Sequence, residues 1–61
     1  MRVRVQFSVE VPEVGATLEQ VEDWLRFEFR DIGELSGDNP LINCYAEPVI
    51  GSFYCPYYVD E

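Results

Sequence analysis

The sequence predicts a small α+β domain, β-α-β-β, in which one helix packs on a three-stranded, mainly antiparallel sheet. Three observations carry this expectation. Residues 1–11, MRVRVQFSVEV, alternate apolar and polar side chains at the period of a half-buried strand. Residues 17–32, TLEQVEDWLRFEFRDI, carry apolar side chains at helical spacing. Residues 41–47 and 52–59 are two short runs rich in aromatic and apolar side chains, separated by Pro48-Val49-Ile50-Gly51. Sixty-one residues make one domain, 1–61. Folding at this size covers only about 60% of the surface the unfolded chain exposes, and the folded molecule should show about 4,000 Å².

In the first strand Val3, Val5, Phe7, Val9 and Val11 form the apolar face, and Arg2, Arg4, Gln6, Ser8 and Glu10 the wet one. Pro12 ends it, because proline cannot donate to a ladder. At about 100° per residue, Leu18, Val21, Leu25, Phe29 and Ile32 fall in one arc of the helix, with Trp24 on its flank and Phe27 opposite. Phe27 is therefore expected at the surface as a candidate contact. Thr17 and Gln20 have capping-box spacing, and Gly33 is the expected left-handed stop. Glu22 and Asp23 both lie within reach of Arg26.

Residues 31–40, DIGELSGDNP, read as a loop, with Asp31, Glu34 and Asp38 among turn-forming residues. The last two runs then form a hairpin whose facing residues sum to 99. Cys44 faces Cys55, Ile42 faces Tyr57 and Ala46 faces Phe53, with Leu41, Tyr45, Tyr54 and Tyr58 on the other side. The final strand is expected to pair antiparallel with the first, in the spatial order 1-3-2. The alternative sets strands 1 and 2 side by side and parallel. Either hairpin face could be the buried one. Cys44 and Cys55 read either as reduced, buried small apolar residues or as a cross-strand disulfide, which facing positions permit. The tail Asp60-Glu61 is acidic.

Charge narrows the function. Twelve Asp and Glu oppose four Arg, with no Lys or His, for a net charge of −8. Direct contact with nucleic-acid backbone or anionic membrane is disfavoured, since both are recognised through Lys and Arg. A basic protein surface is the favoured partner. Lacking histidine and any glycine-rich phosphate loop, the chain offers no familiar catalytic set, and neither cofactor nor metal is expected. No leader-like segment and no apolar run of membrane-spanning length is present. The expected compartment is the cytoplasm.

The segment WLRFEFRDIGELSGDNPL resembles short reading frames of phages and mobile elements. The profile of the chain is similar to small acidic phage proteins that inhibit host systems, including anti-CRISPR proteins that mimic DNA. That resemblance implies a non-enzymatic inhibitor, in the host cytoplasm if phage-encoded. It would block DNA recognition, such as protospacer-adjacent-motif reading, by a CRISPR effector subunit. These proteins share no common motif, so the resemblance assigns no residue by position, and the four arginines depart from an idealised mimic. From the residues themselves the candidate contacts are Glu19, Asp23, Glu28, Asp31, Glu34 and Asp38, with Tyr45 and Tyr54 as aromatic anchors. The rival reading is a small structural or assembly module that forms a homodimer through its sheet edge or tyrosine face; the expected state is a monomer or a weak homodimer.

Overall fold

A computed structural model describes residues 2–56. Its one regular element is α1, Leu18–Glu28. Among the described residues there is no β-strand, so the three-stranded α+β architecture is overturned. Among the described residues, the first and last segments are paired at the isolated antiparallel bridges Gln6–Tyr54 and Val9–Pro48. Met1, the Ile42–Tyr57 pairing, Tyr58 and the tail Asp60-Glu61 lie outside the described residues.

The start of α1 is built as its sequence dictates. Thr17 Oγ1 accepts from the Gln20 N–H at 3.2 Å, and Gln20 Oε1 accepts from the Thr17 N–H at 2.9 Å. Its end differs from the expected stop at Gly33. The Asp31 N–H donates to the Arg26 carbonyl at 2.7 Å and the Arg30 N–H to the Phe27 carbonyl at 3.2 Å. These are the two bonds of a Schellman closure. The left-handed residue is Arg30, at φ 70°, three positions before Gly33, so residues 29–32 lie outside the helix.

The helix is also turned about its axis. Trp24 is wholly buried, while Leu18 is 84% exposed and Phe29 46%. Gln20, Val21, Leu25, Phe27 and Glu28 are half-buried. The buried sector is thus centred on Trp24, roughly a quarter-turn from the arc that apolar spacing selects. Phe27, expected at the surface, lies inside that sector.

Trp24 explains the rotation. Leu41 is also wholly buried, and the Trp24 indole N–H donates to the Cys44 carbonyl at 3.2 Å. Asn39, 5% exposed, fixes this plug: Oδ1 accepts from the Leu41 N–H at 2.9 Å, and Nδ2 donates to the Gln20 carbonyl at 3.0 Å. The chain from 36 to 44 then advances by successive turns, Ser36 to Asn39, Asn39 to Ile42 and Leu41 to Cys44. Backbone groups that a strand over 41–47 would need are committed to these contacts, so the predicted hairpin does not form. Cys44 and Cys55 are half-buried free thiols.

The Pro48–Gly51 turn does form, with the Ser52 N–H donating to the Val49 carbonyl at 3.1 Å and Gly51 at φ 86°. It bulges out of a single segment that runs against residues 6–9 instead of joining two paired strands. Gln6 and Tyr54 exchange both backbone bonds, at 2.8 and 2.7 Å. Next to them, the Ser8 N–H goes to Ser52 Oγ, a side chain, at 3.0 Å. Pro48 and Pro56 have no N–H to offer. The ladder is therefore interrupted between the two bridges.

The outcome is an open molecule. Its surface is 5205 Å² against the about 4,000 Å² of a compact chain of this mass. Its Cα radius of gyration is 13.3 Å where about 10.5 Å is usual for 61 residues. Of the predicted apolar face of residues 1–11, Phe7 and Val9 are half-buried, and Val3, Val5 and Val11 are exposed. The Phe7 ring meets Phe29 edge-on, centroids 5.4 Å apart. Among the described residues, no helix is long and apolar enough to cross a membrane.

Candidate acidic interface

Helical periodicity sets Glu19 and Asp23 one above the other, four residues apart, on the exposed side of α1. Arg26 is the cation that could neutralise this side. Its guanidinium instead bonds Glu22, at 2.8 Å, and Asp31, at 2.9 Å. Those contacts hold the Arg26 pKa above its ordinary value, the hydrogen bond to Glu22 contributing most. The Schellman turn is what brings Asp31 back to Arg26, and so it leaves Asp23 without the arginine that sequence spacing offers it.

The loop arrives beside this side of the helix. Asn39 is tied to the Gln20 carbonyl, and Gln20 is the neighbour of Glu19 and three residues before Asp23. Asp38, next to Asn39, is fixed by its backbone N–H bonding Ser36 Oγ at 3.2 Å, and its carboxylate stays exposed. Glu34 is also exposed. Among the described residues, the carboxylates of Glu19, Asp23, Glu34 and Asp38 have no hydrogen bond or ion pair.

Two of the six candidate acids do internal work. Asp31 belongs to the Arg26 contact, and Glu28 is half-buried with Oε1 accepting from the Ala46 N–H at 2.9 Å. Glu28 thereby stitches the segment after Cys44 to the end of the helix. The two tyrosines are separated. Tyr45, 85% exposed, lines a cleft of about 350 Å³ with Phe27, Glu28, Arg30, Ile32 and Gly33. Tyr54 borders a smaller hollow of about 190 Å³ with Gln6, Phe7, Ser8 and Ser52. The structure thus leaves Glu19 and Asp23 exposed on α1 and Asp38 exposed next to Asn39, which is tied to the Gln20 carbonyl, and sets Tyr45 at the far end of the helix.

Sequence reasoning missed the cleft beside Tyr45 because it depends on Arg30 taking the left-handed position. Nothing in local spacing distinguishes Arg30 from Gly33 in favour of the arginine. Among the described residues, no three His, Cys, Asp or Glu side chains gather where they could hold a metal ion. Comparison with protein-family models, curated proteins and solved structures finds no match to this chain.

Proposed function

We propose that this chain is a non-enzymatic inhibitor that binds a basic, nucleic-acid-binding protein surface, with Glu19, Asp23, Glu34 and Asp38 standing where phosphates would. A DNA-recognition surface of a CRISPR effector in a host cytoplasm is the partner of this chemistry. The reading is supported by one observation above all. The arginine nearest the acidic side of α1 is committed to Glu22 and Asp31, while Glu19, Asp23 and Asp38 stay exposed beside one another's elements. Charges preorganised on a capped helix and a pinned turn lose little freedom when they meet a cationic groove. The long-range field of a chain carrying −8 would speed the encounter.

The test compares displacement of labelled target DNA from CRISPR effector complexes by the wild-type chain and by the joint variant Glu19→Lys, Asp23→Lys, Asp38→Lys. Wild type should displace the DNA. The variant should be weaker by roughly tenfold or more, the equivalent of about 1.4 kcal/mol, while keeping its helical circular dichroism. Asp31→Asn, which alters only the internal contact, should displace DNA as wild type does. A triple variant as potent as wild type overturns the reading.

A further inference from the structure

Residues 5–9 form an edge with one backbone side bonded and the other bare. Gln6 and Ser8 direct their backbone groups at the segment 49–54. In an extended chain the intervening residues point the opposite way. Among the described residues, the N–H and C=O groups of Val5, Phe7 and Val9 have no hydrogen bond. Val3, Val5 and Val11 beside them are exposed apolar side chains. An unpaired apolar edge of this kind is a template for another extended chain.

We propose that a second copy of this chain covers the edge, the two segments running antiparallel about a twofold axis at Phe7. Three features select a second copy. The first is register. Phe7 is the midpoint of the alternating run from Val3 to Val11, so pairing about it aligns the run over its whole length. Phe7 faces Phe7, Val5 faces Val9, and Val3 faces Val11, each at a backbone-bonded position.

The second is charge. Residues 2–12 carry two arginines and one glutamate, a net +1, while residues 13–61 carry two arginines against eleven acids, a net −9. The edge is the stretch on which two copies can meet without opposing acidic fields. A shift by one residue would lay valines against arginines.

The third is area. The molecule exposes about 1,200 Å² more than a compact chain of its mass, and a standard interface takes about 800 Å² from each partner. The pairing joins the two copies through their free sides, adding a backbone ladder on the side of residues 5–9 away from the isolated bridges. It uses none of the acidic residues of the proposed inhibitory face, so the two proposals stand or fall separately.

Sedimentation equilibrium from low to high micromolar concentration tests this directly. The mass should rise from 7.1 kDa towards twice that value. Val5→Pro should stay at the monomer mass with its helix intact, because the Val5 N–H has no bond to lose within one copy. In the unaltered chain, amide exchange at Val5, Phe7 and Val9 should slow as concentration rises. A monomer mass throughout overturns the proposal, as does a dimer that Val5→Pro leaves intact. Should Val5→Pro fail to fold, exchange at those three amides that is indifferent to concentration overturns it as well.

Discussion

Replacing Asn39 by Ala should remove most of the stability of this molecule. Two hydrogen bonds are lost, from Leu41 N–H to Oδ1 and from Nδ2 to the Gln20 carbonyl. Each is worth about 1 kcal/mol net. The second loss is partly cushioned, since a helix carbonyl at Gln20 also receives the backbone N–H four residues on. The first is not cushioned, because Leu41 is wholly buried and its N–H would be left unpaired at a further cost of about 1–3 kcal/mol. The total is about 2–4 kcal/mol, against the roughly 3–5 kcal/mol that a core of this size supplies. The assay is urea denaturation followed by fluorescence of Trp24, the one tryptophan in the chain. Asn39→Asp keeps the acceptor for Leu41 but sets a buried carboxylate oxygen against the Gln20 carbonyl, so at neutral pH its midpoint should also fall well below wild type. An Asn39→Ala curve within about 0.5 kcal/mol of wild type, the range of ordinary surface substitutions, would refute the account of the core.

Two further substitutions test the ends of α1. Arg30→Gly should stabilise by about 0.5–1 kcal/mol, because a left-handed backbone strains a side chain and glycine's added chain entropy offsets only part of the relief. Thermal melting should rise by about 4 °C, and a fall would show that the Arg30 side chain holds the turn. Thr17→Ala leaves the Gln20 N–H without its Oγ1 acceptor and should cost about 1 kcal/mol with reduced helical circular dichroism; an unchanged melting curve would mean that the cap contributes nothing to holding the helix.

The parts of this fold that were legible in the sequence are local. The Thr17–Gln20 box depends on residues three apart, and the Glu22–Arg26 contact on residues four apart, so spacing alone specifies both. The helix face was not legible in that way. Leu18, Leu25 and Phe29 outvote Trp24 by number, but the indole brings the largest side chain and a donor that finds the Cys44 carbonyl, and burying it sets the rotation. The sheet failed for a related reason. Alternation over 1–11 specifies an extended chain, while pairing needs a partner with free backbone groups. Asn39 and Trp24 bind the groups of residues 41–44, and Ser52 Oγ substitutes for a ladder carbonyl at Ser8. Of the acidic candidates, Glu19, Asp23, Glu34 and Asp38 are displayed as composition suggests. The internal roles of Glu28 and Asp31 depend on where the helix closes, which turns on the single left-handed residue at 30.

The central claim is that these carboxylates occupy the place of DNA on a cationic protein surface. The most direct measurement is equilibrium binding of the chain to a CRISPR effector complex, with and without its target DNA, at several ionic strengths. The account predicts binding that weakens as salt rises and that is mutually exclusive with DNA. A complex holding the chain and the DNA together, or an affinity indifferent to salt, would contradict it.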